Sequence, residues 1–181
     1  MGRSPQKLAL DPTAWKFALI DIELLTFWIA HQGAAYPTVW LTLSKAGNSS
    51  TDERIALMEI FIDLFDKDRI KSLTDHREFV GEQWLLCLRN QGFDFRMRTH
   101  ETYRIANRQG RLAADWRLFA KIRGHTALAI SPPRRTRSGD RRSSGRRLGI
   151  GECQYIVTPK FTETAVADYV RLGESKLPSR R

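Results

Sequence analysis

Alternating apolar and polar positions dominate the first quarter of the chain and predict β structure. A short apolar strand begins in residues 8–17 and is interrupted by Asp11-Pro12. In residues 20–24, apolar side chains alternate with acidic ones, which is typical of a strand with one face in water. Residues 38–43 repeat this period of two after a short turn. Three consecutive strands with short connections are most simply arranged as an antiparallel meander.

The period of the pattern then changes from two to that of a helix. Residues 50–53, Ser-Thr-Asp-Glu, form a capping box that predicts the start of a helix. Apolar positions at helical spacing continue over 55–65. A short strand is predicted over 70–74, a second helix over 78–90 and a further strand over 93–98. The predicted order of elements is therefore βββαβαβ.

This order is the layout of an α/β domain with a ribonuclease-H-like mixed sheet. We expect that core to occupy residues 1–100 and an extra β segment to follow over 101–131. Residues 132–152 are Arg-rich and poor in large apolar side chains, so we expect a disordered linker. Residues 153–181 are predicted to contain a strand over 153–158, a helix over 162–172 and a tail. The C-terminal portion is thus expected to be irregular, basic and partly disordered.

Charge is distributed unevenly along the 181 residues. Residues 1–100 contain 12 Lys and Arg against 13 Asp and Glu, whereas residues 101–181 contain 18 against 7, which together give the net charge of +10. A basic half of this size attracts polyanions, and nucleic acid is the partner that it favours. The alternative is a solvated, Arg-rich tail without a partner. The arginines expected to contact DNA are Arg134, Arg135, Arg137, Arg141, Arg142, Arg146 and Arg147.

Other features of the composition narrow the class of protein. Two cysteines are too few for a disulfide scaffold. The first ten residues have no apolar core of a signal peptide, and the longest apolar stretch, residues 17–30, contains Asp21 and Glu23, which are costly in a bilayer. We therefore expect a soluble protein of the cytoplasm, with no membrane partner.

Asp11 is the first candidate for chemistry. In an α/β sheet of this type, acidic residues on neighbouring strand ends converge, and carboxylate oxygens are the ligands that Mg²⁺ prefers. Two such ions can activate an attacking oxygen and stabilise a leaving one during phosphodiester cleavage. On position alone, however, an Asp at the end of a strand is more often a turn residue than a metal ligand.

Three blocks of sequence resemble a known family. They are LDPTAWKF at 10–17, KAGNSSTDERI at 45–55 and REFVGEQW at 77–84. In this order and at these intervals, they resemble DDE-type insertion-sequence transposases of the subgroup with a Tyr-Arg-Glu-Lys signature. The resemblance implies a ribonuclease-H-like domain in which three acidic residues hold two Mg²⁺ or Mn²⁺ ions. It assigns Asp11 to the first metal-binding carboxylate.

The second acidic position departs from the family pattern. The family has Asp directly before Arg-Glu-Phe, whereas this chain has His76 there and Asp75 one residue earlier. Because side chains alternate along a strand, a displacement of one residue would aim Asp75 away from Asp11. A bulge, or a strand that ends at Thr74, would turn it back. Asp75 is therefore either a metal ligand or an N-cap or loop residue just before the second helix.

The third acidic position departs further. Tyr169 matches the start of the Tyr-Arg-Glu-Lys signature, but Leu172 and Lys176 stand where the family has Arg and Glu. Glu174 lies two residues early, about 200° around a helix from the required position. The resemblance thus implies a third carboxylate that this copy lacks.

Together these features predict a transposase catalytic-domain fragment from a bacterial insertion sequence, located with the nucleoid. Its expected function is metal-dependent cleavage and strand transfer of double-stranded DNA at element ends and target, impaired by the altered acidic positions. Only ten residues precede Asp11, which suggests truncation. The alternative is a non-catalytic DNA-binding protein that interferes with an intact transposase by binding its DNA, or that associates with it or with a second copy of itself.

Overall fold

The computed structural model describes residues 6–17, 19–32, 34–43, 45, 48–75, 79–107, 109–122, 127–130, 142–147, 153–160, 164–167 and 169. In this part of the chain the strands are β1 Gln6–Phe17, β2 Ile20–His31, β3 Ala34–Leu43, β4 Ile70–Asp75, β5 Phe95–Thr99, β6 Arg104–Ala106, β7 Leu112–Ala114, β8 Ala127–Ile130, β9 Arg142–Arg147 and β10 Cys153–Thr158. The helices are α1 Thr51–Phe65, α2 Glu82–Asn90 and α3 Asp115–Leu118, and a 3₁₀ turn covers Lys67–Arg69.

The predicted order βββαβαβ is confirmed through β5. Within the described residues, eight strands form one mixed sheet in the order β3-β2-β1-β4-β5-β10-β9-β8, and β6 and β7 form a separate hairpin. The first three strands are an antiparallel meander, and β4 and β5 continue the sheet parallel to β1. Strands β10, β9 and β8 extend it with antiparallel pairing. No helix within the described residues is long and apolar enough to cross a membrane.

The sheet has two faces, which the alternation of side chains distinguishes. One face, which we call the helix face, carries Leu8, Leu10 and Phe27, and these residues pack in one buried cluster with side chains of α1 and α2. The contact between the rings of Phe27 and Phe61, at 5.7 Å between centroids, joins β2 to α1 across this cluster. The other face, which we call the second face, carries the intervening residues of each strand.

Both helices begin at features of the sequence, but one begins later than predicted. The capping box is confirmed: the Glu53 amide donates to the Ser50 hydroxyl at 3.2 Å, and the Ser50 amide donates to the Glu53 carboxylate at 2.6 Å. Helix α2 begins at Glu82 instead of residue 78, with Gly81 as its N-cap. Before the helix, the peptide oxygen of Phe79 accepts hydrogen bonds from the Arg54 side chain at 2.8 Å and from the Gly81 amide at 2.9 Å.

The predicted interruption of the first strand is wrong. Strand β1 runs unbroken through Asp11 and Pro12, which pair with Thr26 and Leu25 of β2. Pairing with β4 on the other side stops at Leu10. Beyond that residue β1 has a partner on one side within the described residues, and this is the setting in which a sheet tolerates proline.

The prediction of disorder over 132–152 is wrong for residues 142–147, which form β9 between β10 and β8. The remaining residues of that segment lie outside the described residues. Ser143, Ser144 and Gly145 in the middle of the strand are small and buried, on both faces of the sheet. A Cβ at Gly145 would lie 2.7 Å from the Phe119 ring, which shows that this ring packs directly on the strand backbone.

The segment predicted as extra β structure over 101–131 contains the β6–β7 hairpin, the short helix α3 and β8. It covers the helix face of the added strands through a second cluster that includes Phe119, Ile122, Ile130 and Tyr155. The predicted strand at 153–158 is confirmed as β10. Of the helix predicted over 162–172, residues 165–167 and 169 are helical and the others lie outside the described residues or in a turn.

Candidate functional site

Asp11 lies on the second face of the sheet, near the middle of β1. Asp11 pairs with Thr26 of β2. It directly follows Leu10, whose side chain is buried on the helix face. Since successive side chains point to opposite faces, Asp11 points away from the helices. Asp11 is half-buried, because it lies just beyond the last pair of the β1–β4 ladder.

Asp75 is the last residue of β4 and lies beside Leu10 in the parallel ladder. Residues paired in this way lie on the same face, so Asp75 belongs to the helix face, where it is 2% exposed. The strand does not stop at Thr74, and the register shift between β1 and β4 lies at Gln6 and Lys7, at the opposite end of the ladder. Asp11 and Asp75 are thus close along the backbone but lie on opposite faces.

A buried cation is close to Asp75. Arg54 of α1 is 6% exposed and donates three hydrogen bonds to backbone oxygens, those of Ser50, Phe79 and Ser49, at 3.0, 2.8 and 3.1 Å. Its guanidinium carbon also lies 5.2 Å from the centroid of the Phe79 ring. Burial lowers the pKa of Arg54, and the negative charges of Asp75 and Glu53 act against that shift. The position of Asp75 therefore suits it to balance the charge of Arg54.

A second cation, Arg98, lies on the face that carries Asp11. Asp75 pairs with Leu10 of β1 and with Met97 of β5, so Asp11 and Arg98, each one residue further along its strand, lie in one row on the second face. At about 4.8 Å between strands, the backbones of Asp11 and Arg98 are about 10 Å apart. His76 itself lies outside the described residues. Sequence reasoning missed Arg98, although its alternation with Met97 in a predicted strand already placed it opposite the core.

Tyr169 lies on the same face as Arg98. It packs with Ile156 and Val166 in a third buried cluster. The pKa of Tyr169 is raised to about 12, mainly by burial. The positive charge of Arg98 acts against this rise, and the negative charge of Asp75 adds to it. The start of the signature motif is thus near the carboxyl end of β4. The later positions of that motif, Leu172, Glu174 and Lys176, lie outside the described residues.

Of the arginines predicted to bind DNA, the three that the structure describes lie on both faces of β9. Alternation along β9 places Arg142 and Arg146 on the second face, with Ser144 between them. Arg147 lies on the helix face, opposite Cys153 in the ladder. All three are partly exposed. The other candidates, which lie outside the described residues, are Arg134, Arg135, Arg137 and Arg141.

The described residues do not fit the pair of metal ions that the resemblance implies. Two ions need several carboxylate oxygens directed into one space. Asp11 and Asp75 lie on opposite faces, and no group of three or more His, Cys, Asp or Glu side chains within the described residues is arranged to hold a metal. We therefore assign no reaction step to a metal held by this pair.

No protein-family model matches this chain, and no curated protein matches its sequence. Among solved structures, the piggyBac transposase synaptic complex with hairpin DNA matches 96% of this chain and 39% of its own, with a TM-score of 0.56 and 9% identity. The HTLV-2 integrase catalytic core in complex with magnesium matches 54% of this chain and 63% of its own, with a TM-score of 0.41 and 15% identity. The large terminase of a thermophilic bacteriophage matches 55% and 25%, with a TM-score of 0.35 and 12% identity.

This chain therefore spans less than two thirds of the length of each of these matched chains. At this level of identity the comparison concerns the fold. The long match to the piggyBac transposase agrees with the predicted ribonuclease-H-like α/β fold, which is confirmed.

Proposed function

We propose that this chain is a transposase-type protein that binds double-stranded DNA, in which metal-dependent strand cleavage and transfer are weak or absent. The observation that carries the proposal is the separation of the two candidate carboxylates, Asp11 and Asp75, by the sheet. The three sequence blocks of the DDE-type transposases and the ribonuclease-H-like fold support the class of protein. The Mg²⁺ or Mn²⁺ dependence, the insertion-sequence subgroup and the degenerate state are parts of the same proposal.

The second face supplies the chemistry for binding DNA. It carries the cations Arg98, Arg142 and Arg146. The carboxylate of Asp11 lies on the same face, in the row of Arg98. Guanidinium groups bind phosphate oxygens with paired hydrogen bonds and release counterions from the duplex. A chain that occupies element ends or target DNA without cleaving them would compete with an intact transposase, and this is the activity that we expect in the cell.

Strand cleavage provides the first test. Supercoiled plasmid incubated with the protein and Mg²⁺ or Mn²⁺ should stay supercoiled, at the same level as with the Asp11→Ala variant, because the two carboxylates cannot share an ion. Asp63→Asn, which changes an exposed carboxylate on α1, is the matched control. Nicking by the wild-type protein that Asp11→Ala abolishes and Asp63→Asn does not would overturn the loss of catalysis.

DNA affinity provides the second test. Fluorescence anisotropy with a labelled duplex should show a logarithmic binding constant that falls linearly with the logarithm of salt concentration. Arg98→Ala should weaken binding and reduce the magnitude of that slope by about one, since one phosphate contact is lost. Arg98→Lys should restore the slope, and Asp11→Ala should not weaken binding.

Arg69→Ala is the matched control, because Arg69 is an exposed cation of the 3₁₀ turn. Equal effects of Arg69→Ala and Arg98→Ala would contradict the assignment of the second face. Absence of salt-dependent binding in the wild-type protein would contradict the proposed function as a whole.

A further inference from the structure

An exposed basic and aromatic surface lies beside the added strands on the helix face, whereas the proposed duplex-binding residues Arg98, Arg142 and Arg146 lie on the second face. It consists of the β6–β7 hairpin, α3 and the turn that follows, described residues 104–107 and 109–121, which we call the hairpin platform. Trp116 is 47% exposed and Leu112 is 53% exposed, although both are large apolar side chains. Among the residues of the platform that the structure describes, the exposed cations are Arg104, Arg111, Arg117 and Lys121. Glu101, directly before the platform, is the exposed acid closest to it in the described sequence.

One of these cations is stacked on the exposed aromatic ring. The guanidinium carbon of Arg117 lies 5.1 Å from the centroid of Trp116. Cation–π contact of this kind holds the indole and the guanidinium together at the surface. The pair thus presents a flat, positively charged edge to solvent instead of two independent flexible side chains.

The platform is fixed to the sheet and is not a loose loop. Asp115, at the start of α3, is fully buried and accepts hydrogen bonds from the Thr99 hydroxyl of β5 at 2.7 Å and the Ser143 hydroxyl of β9 at 3.2 Å. The amides of Asp115 and Trp116 donate to the peptide oxygens of Tyr103 and Glu101 at 2.8 and 3.1 Å. The backbone of Trp116 is therefore held in place by its own amide hydrogen bond and by the hydrogen bonds of the preceding residue, Asp115.

A shallow groove of about 400 Å³ adjoins α3 beside the turn of the hairpin. It is lined by the amides Asn107 and Gln109 and by the apolar side chains Leu118, Leu128 and Ile130. The Asn107 side-chain oxygen accepts hydrogen bonds from the backbone N–H groups of Gln109 and Arg111 at 2.9 and 3.0 Å. These bonds fix the shape of the turn. Amide groups above an apolar floor suit a flat ligand with hydrogen-bonding edges.

From these observations we infer that the hairpin platform binds unpaired nucleotides of a nucleic acid, with Trp116 stacking on a base and Arg104, Arg111 and Arg117 contacting phosphates. This inference rests on the proposed DNA binding but concerns a different surface. Aromatic side chains that interleave with cations are the general means by which proteins hold single strands, since every base offers a flat face to stack. A paired duplex hides those faces, so the platform should favour single strands.

The test measures the affinity of the full chain for a labelled oligothymidylate by fluorescence anisotropy. Trp116→Ala should weaken binding about 5- to 150-fold, which corresponds to the loss of one stacked base. Trp116→Phe should retain most of the affinity because a flat ring remains. Trp40→Ala is the matched control: Trp40 is 56% exposed and lies on β3, at the opposite edge of the sheet.

Equal losses with Trp116→Ala and Trp40→Ala, or no loss with either, would overturn the inference. It would also be overturned if Trp116→Ala left oligothymidylate binding intact but abolished self-association in sedimentation, since the platform would then be a contact surface between two copies of the chain. The duplex measurements with Arg98 variants are independent of Trp116. Normal salt-dependent duplex binding together with failure of the Trp116 test would reject the platform and leave the proposed function standing.

Discussion

Replacing Arg54 with Met should lower the free energy of unfolding by about 3–5 kcal/mol. A loss of this size is expected when a buried cation that compensates a nearby buried carboxylate is removed. Arg54 is buried and donates to three backbone oxygens, so the variant leaves those oxygens without their donors. It also removes the positive charge near the buried carboxylate of Asp75. Urea unfolding monitored by circular dichroism measures the change.

A double-mutant cycle separates the two contributions. If Asp75 balances the charge of Arg54, Asp75→Asn should cost less in the Arg54→Met background than in the wild type, by more than about 1 kcal/mol. Arg54→Lys, which keeps the charge but loses the fork of donors, should lie between wild type and Arg54→Met. A loss of less than about 1 kcal/mol in the free energy of unfolding for Arg54→Met, or strictly additive effects of the two substitutions, would mean that Asp75 does not balance the charge of Arg54.

Asp115→Asn should remove a large part of the pH dependence of stability. Burial raises the pKa of Asp115 from 3.8 to about 7, although the hydrogen bonds from Thr99 and Ser143 lower it. The folded chain thus holds this proton more tightly than the unfolded chain. Its contribution to stability is complete below about pH 4, is lost as pH rises toward 7 and is absent above that value. The shift of about three units corresponds to about 4 kcal/mol.

The variant should therefore unfold at higher urea concentration than the wild type at pH 8 and at nearly the same concentration at pH 4. An amide at this position can still bond to both hydroxyls, since each is donor and acceptor. Asp63→Asn on the surface of α1 is the control and should leave the pH profile unchanged. Parallel pH profiles for wild type and Asp115→Asn would show that the buried carboxyl does not titrate as its environment indicates.

Local patterns were sufficient to predict the first part of the fold. The capping box at Ser50 and Glu53 is a contact between residues three apart, so the sequence contains both partners. Alternation over β5 likewise predicted that Phe95 and Met97 lie in the core. In β2 the expectation of an acidic face in water is wrong for Glu23, which is 6% exposed. The interruption expected at Pro12 did not occur because tolerance of proline depends on where the β4 ladder ends, which is a long-range property.

Strand β9 escaped prediction for a different reason. Its composition, Arg-Ser-Ser-Gly-Arg-Arg, resembles that of a disordered segment, yet small residues are needed where Phe119 packs against Gly145. That requirement comes from a residue 26 positions earlier in the sequence and has no local signal. The burial of Arg54 was equally hidden, since a charged residue in an amphipathic helix is ordinarily expected in water.

The candidate site was predictable as a set of residues but not as a geometry. The sequence identified Asp11 and Asp75 and indicated that a displacement of one residue would separate them, while leaving a bulge or an early strand end open. The register of Leu10 with Asp75 determines which alternative this structure adopts. Arg98, which lies in the row of Asp11, follows from the same register.

Anomalous diffraction from crystals soaked in Mn²⁺ tests the central claim most directly, since it locates the ion relative to both carboxylates. We predict that Asp75 faces Arg54 and that no Mn²⁺ is coordinated by Asp11 and Asp75 together. A Mn²⁺ ion with oxygen ligands from both residues would contradict the separation of the two carboxylates, and with it the proposed loss of cleavage activity.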